Sequence, residues 1–173
     1  MILGYKGVKP QIDESVFVAP SADVIGRVKI GKNSSVWFNA TVRADVNDVI
    51  IGENSNIQDN CCLHEIDEYP LIVGNNVIVG HSVTLHGCRI GDNTLIGMGA
   101  TILDDAKIGK GSIVAAGSVV LEHKSFPDYS LIAGVPAKVI RELPKETEDK
   151  LYHHALAYAA YAADYKKELE IIT

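Results

Sequence analysis

Aliphatic residues recur every six positions over most of the chain, and this period constrains the fold more than any other feature. They stand at Ile12, Val18, Val24, Ile30, Val36 and Val42, then at Ile51, Ile57 and Leu63 after three extra residues. A four-residue excess leads to Val73, Val79 and Leu85, and a step of five leads to Ile90, Ile96, Ile102, Ile108, Val114 and Val120. The count is eighteen rungs with three slips of phase. The residue after a rung is Gly at 31, 52, 74, 80, 91, 97 and 109, and the fourth residue after it is small at positions such as Ala22, Ser55, Cys61, Ala100 and Ser118. An amphipathic helix needs apolar spacings of three and four, and could not carry so many glycines at about 1 kcal/mol each. Residues 12 to 124 therefore read as short strands coiling into a parallel β-helix, with aliphatic side chains stacked inside and small residues at the corners. At three hexads per coil, eighteen rungs make six coils.

The pattern changes after Gly134-Val-Pro-Ala-Lys138. From Lys145 to Leu169 there is no Gly or Pro, and Leu151, Ala155, Tyr158, Ala162, Tyr165 and Leu169 repeat at three to four residues. The spacing predicts an amphipathic helix laid against the coil, with Pro144 near its start. The expected organisation is a β-helix over 1–140 and a packed helical segment over 141–173, one domain overall.

The 173 residues carry a formal net charge of -6, with no Lys or Arg cluster, which disfavours nucleic-acid and anionic membrane partners. No apolar run approaches the roughly 20 residues of a spanning helix, and the opening residues lack a signal-type apolar core. Three cysteines, Cys61, Cys62 and Cys88, make no disulfide framework and fit a reducing, cytoplasmic setting. Cys61 falls in the small corner column and reads as structural.

With three rungs per turn, Val42, Leu63 and Leu85 share a face, and the residues following them are Arg43, His64 and His86. Two imidazoles one coil apart can converge on one ion, since Zn–N bonds of about 2.0 to 2.1 Å need ring nitrogens roughly 3.3 Å apart. His81 follows Val79 by two, on a different face, above Asp59 and beside Gln58. If all three histidines hold one ion, a neighbouring subunit must present its other face, and closed symmetry makes a trimer the natural assembly. Three His ligands leave a fourth position open, the catalytic pattern for zinc. His123, His153 and His154 read as surface or core filler rather than ligands.

Arg43-Ala-Asp45, Asn56-Ile-Gln58-Asp59-Asn60, Leu63-His64 and Gly80-His81-Ser-Val-Thr-Leu-His86-Gly87 resemble the γ-class carbonic anhydrases over nearly the whole chain. The resemblance implies a left-handed β-helix and a homotrimer whose interfaces hold zinc, or iron or cobalt, on His64 and His86 of one chain and His81 of the next. It implies hydration of CO2 to bicarbonate by a hydroxide formed at the metal. Arg43 and Asp45 match an interfacial ion pair that helps place bicarbonate, Gln58 a residue that orients the hydroxide, and Asp59 one close to the substrate. Tyr158 matches a helix tyrosine that approaches the metal, and helix packing accounts for it as well.

Val46 stands where the best-known members carry an acid, and their acidic loop is reduced here to Glu65-Ile-Asp67-Glu68-Tyr69-Pro70. Glu65, Asp67 and Glu68 are candidate proton carriers, although an acidic solvated turn is the simpler reading of them. Other functions stay open: acyl transfer from coenzyme A, which many hexapeptide β-helices perform; metal-dependent hydrolysis of a thioester or other acyl compound; and a metal-holding scaffold without turnover.

Overall fold

A computed structural model, which describes residues 1–170 and 172, shows a left-handed parallel β-helix of about 7 turns closed by one C-terminal helix. Most hexads contribute a strand of two or three residues, and the strands of the coil pair in parallel with the strand one coil away. One column stacks Ile12, Ile30, Ile51, Val73, Ile90, Ile108 and Phe126. The second stacks Val18, Val36, Ile57, Val79, Ile96, Val114 and Ile132. The third runs Ile2, Val24, Val42, Leu63, Leu85, Ile102 and Val120. The expected six coils become about seven because Phe126, Ile132 and Ile2 extend the three columns at their ends. Apart from the terminal Ile2, which is exposed, these side chains fill the prism interior, where Val24, Val36, Leu63, Leu85 and Ile102 have no exposed surface.

The corners explain the small residues. Asn33, Asn54, Asn76 and Asn93 all adopt positive φ, a conformation that asparagine tolerates better than branched residues. Their amides form a ladder: Asn33 donates to Asn54, Asn54 to Asn76 and Asn76 to Asn93, at 3.0 to 3.2 Å. The ladder ends on the helix, where Asn93 Nδ2 donates to Glu148 Oε1 at 2.7 Å. Glu148 also accepts from the Tyr129 hydroxyl at 2.9 Å, so one acidic residue ties the helix to two coils.

A hairpin of Ser130–Gly134 and Ala137–Glu142 leads from the last coil into the helix Glu146–Glu168. Leu151, Ala155 and Ala162 are buried, and Tyr165 packs on Phe17, Trp37 and Phe38 with ring centroids 5.0 to 6.1 Å apart. This aromatic cluster holds the helix over the second column. It thereby brings Tyr158 to the face that carries Gln58 and His81.

The three phase slips share one corner. Each follows a rung of the third column: Val42, Leu63 and Leu85. The first lengthens a strand to Thr41–Ile51, and its register against Asp23–Ile30 shifts between Gly26 and Val28. The second opens the turn after His64, and the third shortens the corner after His86. A regular prism is thus broken only where Arg43, His64 and His86 stand, which is where a site rather than a packing rule dictates the backbone.

Candidate metal centre

His64 and His86 lie in direct register on adjacent coils, and His64 Nδ1 faces His86 Nε2 at 3.1 Å. The other nitrogen of each ring meets a carboxylate: His64 Nε2 is 3.0 Å from Asp45 Oδ1, and His86 Nδ1 is 2.6 Å from Asp104 Oδ1. His81 repeats the arrangement, with Nδ1 2.8 Å from Asp59 Oδ2. A neutral imidazole that donates to a carboxylate presents a lone pair on its other nitrogen. With both rings in that tautomer, His64 and His86 would aim two lone pairs at each other, a repulsion that a cation between them relieves. The donor chemistry fits a metal ion such as zinc, whose paired imidazole ligands need about this separation.

The remaining expected residues fall around these rings. Arg43 is half-buried in the coil beside His64, and its guanidinium pairs with Asp45 Oδ2. Asp45 is held below the ordinary carboxylate range, chiefly by its hydrogen bond to His64 and then by Arg43, against the opposing effect of burial. Gln58 is buried and donates from Nε2 to Asn56 Oδ1 at 3.2 Å. Gln58, His81, Met98, His154 and Tyr158 line one groove of about 200 Å³ between coil and helix. Burial raises the Tyr158 hydroxyl, the Asp59 charge adds to the rise, and Gln58 opposes it.

His81 does not meet the other two histidines within the chain. Among the described residues, the cluster whose ligand atoms all lie within 4.8 Å of one another is Asp45, His64 and Glu65. Three of its four carboxylate oxygens are already engaged: Asp45 holds His64 and Arg43, and Glu65 Oε1 accepts two backbone amides, while Glu65 Oε2 is buried without a partner. These acids orient the ring, and the lone pairs of the histidines are the open donors.

Glu65 departs from the expected solvated turn. It has no exposed surface, because the extra residues around Ala44–Asp48 leave the Asp45 and Val46 N–H groups facing its carboxylate. Asp67 and Glu68 are exposed as expected. Asp104 is absent from the expectation altogether. It stands two residues after Ile102 in the same column as Leu63 and Leu85, and the five-residue step after Leu85 moves the His86 ring onto it. Gly87 makes room, since a Cβ there would run into the Asp104 carboxylate. The shortened step was the available signal. Cys61 and Cys88 are buried and Cys62 is exposed.

A Methanocaldococcus jannaschii protein named probable carbonic anhydrase is 48% identical over 147 residues, which cover 85% of this chain and 92% of that protein. The chain belongs to the γ-class carbonic anhydrase family. Gamma carbonic anhydrase 1, mitochondrial, of Arabidopsis thaliana is 42% identical over 94% of the chain, which spans 63% of the plant protein's length. Residues 87–122 match the bacterial transferase hexapeptide (six repeats) family. Two solved structures share the fold closely. One, the product of the Bacillus cereus BC4754 gene, provisionally described as an acetyltransferase, is 45% identical with TM-score 0.94, covering 96% of this chain and 97% of that one. The other, a hexapeptide transferase family protein from Anaplasma phagocytophilum, is 38% identical with TM-score 0.91, covering 95% and 98%.

Proposed function

We propose that the chain hydrates CO2 reversibly to bicarbonate at metal sites built by His64 and His86 of one subunit and His81 of its neighbour in a homotrimer. One observation carries this reading: each of these three histidines has one ring nitrogen on an aspartate, leaving the other as a metal donor. His123 differs in its carboxylate contact, since it stands 3.4 Å from Asp105 where the three stand 2.6 to 3.0 Å from their aspartates.

Zn2+, or Fe2+ or Co2+ on the same donors, would supply a Lewis acid that makes water a nucleophile near neutral pH. The chain's own residues do the rest. Asp45, Asp59 and Asp104 fix the tautomer and tilt of the rings. Arg43, charged and half-buried, favours the bicarbonate anion as negative charge gathers on the substrate oxygens. Gln58, whose Nε2 donates to Asn56, keeps Oε1 to accept a hydrogen bond from the attacking water and so aim its lone pair. Tyr158 stands in the same groove as His81 and Gln58, where it limits the space for substrate. Glu65 is closed to solvent, so protons leave by way of exposed groups such as Asp67 or Glu68, or by buffer.

No helix among the described residues is long and apolar enough to cross a membrane. The free thiols fit a cytoplasmic setting. Metal-dependent acyl hydrolysis would use the same nucleophile, and acyl transfer would need only one histidine base, which leaves two of the three unexplained.

The test is metal content per chain together with stopped-flow CO2 hydration after loading with Zn2+, Fe2+ or Co2+. The reading predicts about one ion per chain and hydration above the buffer rate. A metal-loaded protein hydrating CO2 no faster than buffer would favour acyl hydrolysis or a scaffold, and an assembled protein that takes up no metal would remove the site.

A further inference from the structure

Among the described residues Glu65 is the one buried carboxylate, and it has no exposed surface. Burying a carboxylate is costly unless hydrogen bonds repay it. Here Oε1 accepts the N–H of Asp45 at 2.9 Å and of Val46 at 3.1 Å, while Oε2 has no partner. A side chain kept at that cost in a small turn has a use that packing does not supply.

The use is visible in the links between the two coils. The side chain of Glu65 holds the backbone of Asp45, and the side chain of Asp45 holds the ring of His64, the residue preceding Glu65. The two coils are therefore cross-linked twice, in opposite senses, around one imidazole. The segment held in this way is the one with extra residues, where the strand register shifts and regular ladder bonds cannot satisfy the amides. Asn47 fastens the far end of the same segment to Ile66 and Asp67 carbonyls at 3.1 and 3.0 Å.

We infer that Glu65 is a positioning residue, whose buried carboxylate fixes the Arg43–Val46 backbone so that Asp45 reaches His64 and Arg43 together. The inference rests on the metal reading above. Glu65 acts through Asp45 and touches neither metal nor substrate. What matters is an oxygen that can accept two amides, and glutamine supplies one in the same place.

The experiment compares wild-type protein with the Glu65→Gln, Glu65→Ala and Glu65→Met variants in zinc affinity by chelator competition and in amide hydrogen exchange at Asp45 and Val46. Wild type and Glu65→Gln should agree within about threefold in affinity and keep both amides protected. Glu65→Ala should lose roughly tenfold or more in affinity, the scale of a lost orienting partner, and release both amides to exchange. Glu65→Met, which fills the space without an acceptor, should behave as alanine does and decides the matter if the alanine variant does not assemble. Wild-type affinity and protected amides in Glu65→Met would overturn the positioning role while leaving the metal reading intact. Failure of wild type to bind zinc would instead strike the metal reading, and the amide exchange would still report whether Glu65 holds the segment.

Discussion

Asp104 Oδ1 stands 2.6 Å from His86 Nδ1, and that contact turns the opposite face of the ring toward His64 on the neighbouring coil. The carboxylate sets both the tautomer and the tilt of a candidate ligand. Asp104→Ala should therefore weaken zinc binding by roughly 10- to 100-fold in chelator competition. Asp105→Ala, one residue on, should leave affinity unchanged, because Asp105 pairs with Lys107 and His123 instead.

Gly87 permits this contact. Its φ of 48° lies in the left-handed region, and a Cβ would collide with the Asp104 carboxylate and approach the Tyr69 carbonyl at 3.2 Å. Gly87→Ala should cost about 1 kcal/mol or more in thermal or denaturant unfolding. It should also lower metal occupancy by displacing Asp104, which metal analysis of the purified variant would reveal.

The thiols should differ sharply in reactivity. Burial pushes Cys61 up to about 12 and Cys88 higher still, from an ordinary 9.0. A raised thiol value means less thiolate at any given pH, and thiolate is the form that reacts. Alkylation of the folded protein near pH 8 should modify at most Cys62, whereas unfolded protein should take three labels by mass spectrometry.

Much of this architecture is legible in the sequence, and the exceptions have a common cause. The hexad count correctly stacks His64 on His86 and His81 on Asp59, because a period of six fixes where each side chain points. It says nothing reliable at a slip. Glu65 follows the rung before the second slip and is folded in by extra residues around Ala44–Asp48; Asp104 meets His86 only because the third slip removes a residue. Side-chain direction there depends on coil-to-coil contacts that periodicity does not encode. Val46, with its exposed side chain, illustrates the point from the other side: its N–H, not its side chain, is what meets an acid.

Asp45 gives a dependence on pH. Its hydrogen bond to His64 and its pairing with Arg43 hold the folded carboxyl below the ordinary 3.8, against burial. A group lowered on folding adds stability that is fully present above its unfolded value and is lost as pH falls through the lower folded one. Asp45→Asn should therefore destabilise the metal-free protein near neutral pH, and the difference from wild type should shrink below 3.8. Denaturant midpoints across that range would show the convergence, whereas a constant difference would mean that the charge of Asp45 contributes nothing.

Sharing of one ion across a chain boundary is tested most directly by mixing two chains that each lack one of the three histidines. His64→Ala and His81→Ala chains, each unable to complete a site alone, should regenerate intact sites when unfolded together, reassembled and loaded with zinc. With random assembly in equal amounts, about one quarter of interfaces would join a chain retaining His64 to one retaining His81 in the productive order. Tightly bound zinc approaching that fraction of the wild-type amount is the predicted result. Zinc uptake by the mixture no greater than that of either variant alone would contradict the claim.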